Sequence, residues 1–484
     1  MVATSFATHN LFGALPLRTQ LKPASSQEAV ASGGQCQMTD HDEPPMNGRL
    51  PPRVYLVGSL TRFAQGLYMP FLGTYMVDMG ASYGELSAFR SVGNIAPTIL
   101  QPLWGAGSDK VGHTKAFVVF GTLTGLFTVY LFLWASTPFE MIVLYAIQSL
   151  LLSIQIPTWL SLIGGLMDEK YRGEELGKLT MVTSIASLVA TLIAGFIAGF
   201  PAVLPFVRAM LGDWGTVLLP PVDQWKEIYY IPFYVTALVG IVSSLIALTI
   251  KEKPRNDSVR RGFPPMFRLL SQPGDFRRLC AVATFFSFAM SMAWPYFVVV
   301  QRVWLSNTLL EIAIASAIMS IFTVIFTTPL GRLSDRVGRK PLILIGRGTL
   351  FLVPLLYAFA TTTLMIYIAN AIAGFAIAGA FNALTAYIYD ISPEDERGAY
   401  LSVYNTFTGI VFLSGTFMAG ILGEWFVTFL GSHGAVFAML VLSGVLRFVA
   451  AFMFVFLREP RQYKSTLRAE IYAFLGRRLG GDRV

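Results

Sequence analysis

The sequence predicts an all-α membrane protein with twelve transmembrane helices, arranged as two repeats of six. Its 484 residues are 54% hydrophobic and only 13% charged, whereas soluble domains carry roughly 25% charged residues. The apolar residues form runs of about 20, the length at which a helix crosses a bilayer. Short polar motifs also recur about 225 residues apart, each in the same place between two apolar runs. Such recurrence indicates a duplicated unit.

Taken in order, the apolar runs divide the chain into two bundles. We predict a tail at 1–52, a bundle at 53–250, a basic linker at 251–278, a second bundle at 279–457 and a tail at 458–484. The runs of the first bundle are 54–78, 85–107, 116–135, 141–167, 179–200 and 228–250. Those of the second are 279–301, 312–331, 341–361, 364–389, 399–423 and 433–457.

The N-terminal tail has no Asp or Glu in residues 1–26 and many Ser and Thr. A transit peptide has this composition. Alternatively, the start of translation is assigned too early, and the true initiator is Met38 or Met46. We expect a disordered cytoplasmic tail, and whether residues 1–45 belong to the mature protein stays open.

The basic residues predict the topology. If the tail is placed inside and the spans alternate, 30 of the 36 Lys and Arg lie on the cytoplasmic side. The opposite orientation would violate the positive-inside bias. Both termini are therefore expected in the cytoplasm. We expect the chain to lie in the plasma membrane. The net charge of +8 reflects this topology and predicts no nucleic-acid partner.

Two polar loops carry the repeat. Gly105-Ala-Gly-Ser-Asp-Lys-Val-Gly-His-Thr-Lys115 returns as Gly331-Arg-Leu-Ser-Asp-Arg-Val-Gly-Arg-Lys340, with Asp109 and Asp335 offset by 226. Glu169-x-x-Arg172-Gly173 returns as Glu394-x-x-Arg397-Gly398, offset by 225, and Phe63-Ala64 with Pro70 returns as Phe288-Ala289 with Pro295. One copy could be only a short basic loop. Two copies in the same slot indicate a shared function.

The second copy matches the pattern G-x-x-x-D-[RK]-x-G-[RK]-[RK], and the chain resembles the major facilitator superfamily. The first copy departs from it at His113 and Thr114. The resemblance implies two six-helix bundles around a central cavity that work by alternating access. It also implies that Asp109 and Asp335 lock the cytoplasmic face against the opposite half, near Gly398 and Gly177. The gating residues on this basis are Gly105, Asp109, Lys110, Gly112, Arg172, Gly331, Asp335, Arg336, Gly338, Arg339, Lys340 and Arg397.

Charged residues inside a span usually face a cavity or a partner. At a rise of 1.5 Å per residue, Arg62 is about 13 Å along its helix from Arg53, and Arg447 is about 16 Å from Arg458. Arg90 is shallower, and no carboxylate is deep in a span. A cationic cavity suits an anionic or polar solute. The alternative for these arginines is pairing with helix carbonyls or with a carboxylate of another helix.

Other candidates come from the helices that line the cavity in this family, the first, fourth, seventh and tenth. Polar and aromatic residues recur there on one helix face. With Arg62, the cavity candidates are Gln65, Gln148, Gln155, Trp159, Ser291, Trp294, Asn382 and Tyr389. For each one the alternative is a hydrogen bond between helices. Pro70, Pro157 and Pro295 are either helix breaks near the site or simple kinks.

These observations predict a secondary transporter for a small solute, with no cofactor, no metal site and no enzymatic activity. A polar or anionic metabolite and a drug-like substrate are alternatives, and the drug-exporter arginine of helix four is replaced by Tyr145. A proton gradient, a sodium gradient, a solute gradient and uniport are the alternatives for what drives transport, and we expect a monomer. A membrane-embedded enzyme is disfavoured, because it would need a catalytic cluster and the four histidines lie in tails and loops. A transporter-like sensor is disfavoured, because it would be expected to carry a signalling domain.

Overall fold

The computed structural model describes residues 49–93, 104, 114–167, 172–199, 203–212, 223–252, 274–393 and 396–460. We number the long helices by predicted span. The first half contains α1, interrupted between Pro52–Tyr68 and Leu72–Asp78, then α2 from 83 to 93, α3 Thr114–Leu131, α4 Pro138–Leu166, α5 Arg172–Ala198 and α6 Glu227–Leu248. A short helix, Val203–Met210, lies between α5 and α6.

The second half repeats this order. It contains α7, in two pieces Asp275–Met292 and Trp294–Val299, then α8 Leu309–Val337, α9 in two pieces Arg339–Thr349 and Leu352–Ala358, and α10 Thr363–Ile391. The last helix, Arg397–Met453, contains Gly431 at φ 68° and ψ 174°. Because these angles are not helical, it is two helices, α11 (397–430) and α12 (432–453).

The membrane character of the fold is clear from the described helices. Nine of them are long and apolar enough to cross a bilayer, when 397–456 counts as one. α1 is not among these nine helices, and most of the predicted second span lies outside the described residues. The all-helical membrane fold is therefore as predicted, while the number twelve is only partly described.

Two of the three prolines break their helices. Pro70 lies in the 3-10 turn Met69–Phe71, and Pro295 is in the first turn of the second piece of α7. Pro157 instead stays inside the continuous helix α4. Since proline removes one backbone donor, carbonyl groups beside each break can accept other hydrogen bonds.

The two halves share their internal packing. Gly121 of α3 lies against the backbone of Gln155, and Gly346 of α9 lies against that of Ala380, so that both partners are related by an offset of 225. A Cβ added at Gly346 would come within 2.7 Å of the Ala380 nitrogen, which shows how closely the helices approach. Small residues permit such contacts between membrane helices.

A carboxylate closes the same helix terminus in each half. Glu252 accepts hydrogen bonds from the backbone N–H groups of Thr114 and Lys115 at the start of α3, at 2.7 and 3.2 Å. Glu459 accepts from Arg339 and Lys340 at the start of α9, at 3.2 and 2.9 Å. A negative charge is favoured at a helix N-terminus, so these contacts fasten the end of each half to its third helix.

Candidate functional site

We call the side of the bundle that carries residues 50 and 458 the tail face, and the opposite side the far face. An ion pair joins the two halves on the far face. Arg302, in the π-helical turn Val300–Trp304 that follows α7, donates through Nε and Nη2 to the two carboxylate oxygens of Asp78 at the end of α1, at 2.6 and 2.9 Å. Tyr229 of α6 donates to the same carboxylate at 2.5 Å. Two parallel guanidinium–carboxylate bonds fix both distance and orientation.

Further contacts close the far face around this pair. Glu424 of α11 accepts a hydrogen bond from the Gly84 N–H of α2 at 2.9 Å, and the Tyr83 hydroxyl donates to the Ser432 carbonyl at 3.2 Å. Gly195 of α5 packs so tightly on α8 that an added Cβ would lie 2.5 Å from the Ala313 Cβ. At these positions the two halves are in direct contact.

The tail face is different at the three glycines that the sequence singles out there. Gly177, Gly331 and Gly398 have no described atom within 4 Å of an added Cβ. Among the described residues, no side chain or backbone packs on these three positions, in contrast to Gly195 on the far face.

The second loop motif is held within its own half. Arg339 contacts Asp335 at 2.5 Å and Asp390 of α10 at 3.2 Å. The Asp335 side chain is 66% exposed, so water screens its pair with Arg339. Gly338 has a φ of 105°, which glycine adopts without strain, and this explains its place between α8 and α9.

The remaining gating candidates are placed in part. Arg336 is exposed, the Lys340 N–H binds Glu459, and the Arg397 Nε donates to the Tyr389 carbonyl at 3.3 Å. Arg172 begins α5. The predicted gating residues of the first loop lie outside the described residues: Gly105, Asp109, Lys110 and Gly112.

Three of the cavity candidates lie close together in the first half. Arg62 donates to the Gln65 side chain at 3.1 Å, one turn along α1. The Gln148 amide of α4 donates to the Tyr68 hydroxyl of α1 at 2.7 Å. The Gln148 carbonyl oxygen is buried and accepts no hydrogen bond from the described residues. This group, Arg62, Gln65, Tyr68 and Gln148, is the polar cluster of α1 and α4.

The other two first-half candidates contact neighbouring helices. Gln155 is buried where α4 meets Gly121 of α3. The Trp159 ring lies 3.4 Å from the Cβ position of Gly58, in the contact between α4 and α1. Both residues therefore help to hold the first half together.

In the second half, the candidates are less clustered. Ser291 is fully buried and lies against Gly415 of α11, and its hydroxyl donates to the Phe288 carbonyl at 3.0 Å. Trp294 packs on Phe412 with ring centroids 5.0 Å apart. Asn382 donates to the Ala378 carbonyl, and the Tyr389 hydroxyl is buried without a partner among the described residues.

Arg447 has the structural role that the sequence left as an alternative. Its side chain is only 2% exposed and donates to the carbonyls of Leu350 at 3.1 Å and Met290 at 2.8 Å. The Met290 carbonyl lies just before the break in α7, where backbone acceptors become available. Arg447 therefore fastens α12 to α9 and α7. Arg90 reaches the Cβ position of Gly73, at 2.6 Å.

Two features were missed at the level of sequence. The ion pair of Asp78 and Arg302 joins residues 224 positions apart, and only their shared place at the outer span ends hinted at it. Arg347 was counted among the 30 cytoplasmic Lys and Arg although it lies in the predicted run 341–361, and the structure places it eight residues into α9. That count hid a fourth arginine within the spans. No group of three His, Cys, Asp or Glu suited to a metal occurs within the described part of the chain.

Comparisons with known proteins agree with this architecture. The family model of the Major Facilitator Superfamily matches residues 54–302 and 279–479. An uncharacterised MFS-type transporter of Methanocaldococcus jannaschii is 26% identical over 408 residues, which cover 82% of this chain and 94% of that protein. The class H tetracycline resistance protein of Pasteurella multocida is 38% identical over 109 residues, which cover 22% of this chain and 27% of that protein.

Solved structures share the fold at low identity. The nucleoside transporter NupG superposes with a TM-score of 0.66 at 16% identity, over 85% of this chain and 98% of NupG. A bacterial homologue of the human lysosomal transporter Spinster gives a TM-score of 0.62 at 17% identity, over 86% of this chain and 98% of that protein. With its duplicated loops, its paired bundles and a family match over most of its length, the chain belongs to the Major Facilitator Superfamily of membrane transporters.

Proposed function

We propose that the protein is a secondary active transporter that moves a small polar or anionic solute by alternating access. The observation that carries the solute class is Arg62, held by Gln65 deep in α1. Every Asp and Glu of the described long helices lies in the first or last two turns of its helix, so none shares the depth of Arg62. An arginine binds a carboxylate or phosphate with two parallel hydrogen bonds.

The polar cluster of α1 and α4 adds the means to orient the solute. Gln148 has one bonded end and one buried carbonyl oxygen without a described partner. A buried polar atom without a partner is costly, by about 1–3 kcal/mol. A solute hydroxyl or amide that donates to this oxygen would remove that cost. We therefore assign Gln148 to hydrogen bonding with the solute and Arg62 to binding of its anionic group.

The conformation described here supports one step of the cycle. Contacts close the far face, and no described atom lies within 4 Å of a Cβ built at Gly177, Gly331 or Gly398. The Spinster homologue used for comparison is described as inward-facing. We infer an inward-facing state, with both termini in the cytoplasm and the chain in the plasma membrane as a monomer.

The loop motifs supply the cytoplasmic gate in this proposal. Asp335 is exposed and pairs only weakly with Arg339 here, so it is available to the first half when the tail face closes. Arg336, Lys340 and Arg397 share that face, and Asp109 is the equivalent acid of the first loop. Coupling to a proton or to sodium remains part of the proposal.

Drug efflux is the second candidate, because of the similarity to tetracycline resistance proteins. That similarity covers between a fifth and a third of the chain. The arginines inside the spans disfavour hydrophobic cations, since like charges repel in a low-dielectric site.

Flux into proteoliposomes separates these candidates. The solutes would be labelled dicarboxylates, phosphate monoesters, uncharged sugars and the hydrophobic cation ethidium. We expect uptake of an anion by the unaltered protein and a loss of at least tenfold in Arg62→Gln. Arg53→Gln is the matched control, because Arg53 lies on the same helix, is exposed, and donates to the Thr249 carbonyl at the tail face.

The outcome that contradicts the proposal is equally definite. Transport of ethidium alone, with the same rate in Arg62→Gln and in the unaltered protein, would establish efflux and remove Arg62 from the site.

A further inference from the structure

One hydrogen bond in the polar cluster of α1 and α4 decides which end of the Gln148 side chain remains unpaired. The Gln148 amide nitrogen donates to the Tyr68 hydroxyl at 2.7 Å, and both side chains are fully buried. The amide oxygen accepts no hydrogen bond from any residue that the structure describes. An amide carries donors at one end and an acceptor at the other. Because Tyr68 takes the donor end, the acceptor end is left for another partner.

The repeated frame does not require this pair. α4 and α10 each have 29 residues and begin 225 positions apart, which is also the offset between α1 and α7. The residues equivalent to Gln148 and Tyr68 are therefore Ala373 and Ala293, and both alanines are buried. Alanine is thus sufficient for packing at both places in the second half. The tyrosine and the glutamine are an addition that only the first half has.

The pair lies beside the break in α1. Tyr68 is the last residue before the 3-10 turn Met69–Phe71. Lipid cannot satisfy the backbone groups that such an interruption frees, so membrane proteins place interruptions where they face protein or a cavity. α1 and α4 are also two of the four helices expected to line the cavity. The Tyr68–Gln148 bond therefore lies on the side of α1 that faces the interior of the bundle.

The cation of the cluster comes to the same turn of α1. Arg62 reaches forward along the helix to the Gln65 side chain, at 3.1 Å. Helical side chains lean back over the preceding turn, so Tyr68 covers the turn that contains Gln65. The Arg62 guanidinium and the Tyr68 hydroxyl are close enough to interact electrostatically. A positive charge and an unpaired acceptor therefore lie near each other, on either side of one tyrosine hydroxyl.

A cation next to an acceptor selects one kind of anion. The guanidinium binds a carboxylate with two parallel hydrogen bonds. The Gln148 oxygen attracts a group that donates a hydrogen bond and repels the lone pairs of a carbonyl group. A hydroxyl on the carbon next to the carboxylate meets both requirements, whereas an ammonium group there would be repelled by Arg62.

We propose that Tyr68 is a positioning residue that orients Gln148, and that the site therefore prefers 2-hydroxy carboxylates over 2-oxo and unsubstituted carboxylates. This inference rests on the proposed function, because it needs Arg62 to hold the carboxylate. Movement of α1 at its break uncovers the Gln148 oxygen to the solute. Tyr68 acts through the amide, since its hydroxyl prevents the amide from turning. Without that hydroxyl, either end of the amide can face the solute.

The test compares solutes of nearly equal size that differ at one carbon. Binding to the purified protein is measured for two pairs, lactate with pyruvate and 2-hydroxyglutarate with 2-oxoglutarate, and for propionate, which has neither oxygen. We expect each hydroxy acid to bind at least about tenfold more tightly than its oxo partner, because an oxo group leaves the Gln148 oxygen unpaired. Propionate should bind at least about tenfold more weakly than lactate for the same reason.

Tyr68→Phe separates positioning from packing. This substitution removes only the hydroxyl, so the Gln148 amide can offer either a donor or an acceptor. The ratio of hydroxy acid to oxo acid affinity should fall to about one. Propionate affinity should stay unchanged, because propionate depends on Arg62 alone. Gln148→Leu should lower lactate affinity to that of propionate.

Tyr75→Phe is the matched control. Tyr75 lies on the same helix, is equally buried, and donates to the Phe132 carbonyl at 2.7 Å. This variant removes a buried hydroxyl of α1 without affecting Gln148, so it should keep the ratio of the unaltered protein. Where Tyr68→Phe does not fold, the unaltered protein decides. Equal affinities for the members of each pair, or a preference for the oxo acids, contradict the inference.

The inference and the proposed function fail in different ways. An equal fall in affinity for lactate, pyruvate and propionate in Tyr68→Phe shows a structural role and overturns the inference, as does a ratio that this variant leaves unchanged. Uptake of phosphate monoesters without binding of any of these carboxylates also overturns it. In each of these cases, loss of anion uptake in Arg62→Gln leaves the proposed function standing. If ethidium alone is carried, both are wrong.

Discussion

At the scale of single residues, the far-face pair has the most direct consequence. Asp78 and Arg302 are held by two parallel bonds, and Tyr229 adds a third bond to the carboxylate. Their side chains are only 11% and 26% exposed, so the pair is partly shielded from water. The ion pair therefore stabilises the closed far face, since it breaks when the two halves separate there.

We predict that Asp78→Asn shifts the protein toward an open far face. One hydrogen bond and the charge attraction are weakened, and a loss of about 1.4 kcal/mol corresponds to a tenfold change in the equilibrium. The reporter is a cysteine at Met69, in the turn of α1 behind the pair, labelled by an impermeant maleimide from the far side. Labelling should become about tenfold faster.

The charge-exchanged double variant, Asp78→Arg with Arg302→Asp, is the control for that experiment. It should return labelling toward the original rate, because the attraction is restored in reverse. A labelling rate in Asp78→Asn equal to that of the unaltered protein would show that the pair does not hold the gate.

At the scale of helices, glycines report which face is closed. Gly195 packs α5 directly on α8 at the far face, where an added Cβ would meet both Ala313 and the Leu309 carbonyl. Gly398 begins α11 at the tail face, where an added Cβ meets no described atom. The same substitution should therefore act in opposite directions at the two positions.

We predict that Gly195→Leu forces the halves apart on the far face, because the leucine cannot fit between α5 and α8. Hydrogen exchange measured by mass spectrometry should rise at the far-side ends of these helices. Gly398→Leu is the matched variant, and it should leave the far side protected while it hinders closure of the tail face. The same exchange pattern in both variants would contradict this assignment of open and closed faces.

The helices also show how far sequence reasoning reaches. Apolar runs and the repeat predicted the membrane fold, and Pro70 and Pro295 do break their helices. Pro157 stays inside the continuous helix α4. This could not be predicted, because the sequence alone does not show which neighbours pack around α4. The depth of Arg447 was evident, but its partners come from α9 and α7 and follow only from packing. Arg347 was counted with the cytoplasmic residues because it lies near the cytoplasmic end of its predicted span.

At the scale of the whole molecule, the two halves share a scaffold and differ in chemistry. The helix-capping carboxylates Glu252 and Glu459 and the glycine contacts of α3 and α9 repeat. The arginines at Arg62 and Arg347 do not, since each has a smaller residue at its equivalent position, Ser287 and Thr122. A repeated frame of this kind suits two halves that rock as rigid bodies.

Alternating access is the central claim, and it is tested by two distances measured in one protein. In a background without Cys36 and Cys280, spin labels at Glu174 and Arg332 report the tail face. Labels at Phe139 and Phe359, both exposed, report the far face. Double electron–electron resonance would be recorded in liposomes with and without the transported anion.

We predict reciprocal changes in these two distances. The unliganded protein should show a long tail-face distance and a short far-face distance, and a second population should have the tail face short and the far face long. Asp335→Asn should lower that second population, because the gate loses its charge. Two distances that stay fixed, or that lengthen and shorten together, would contradict the account.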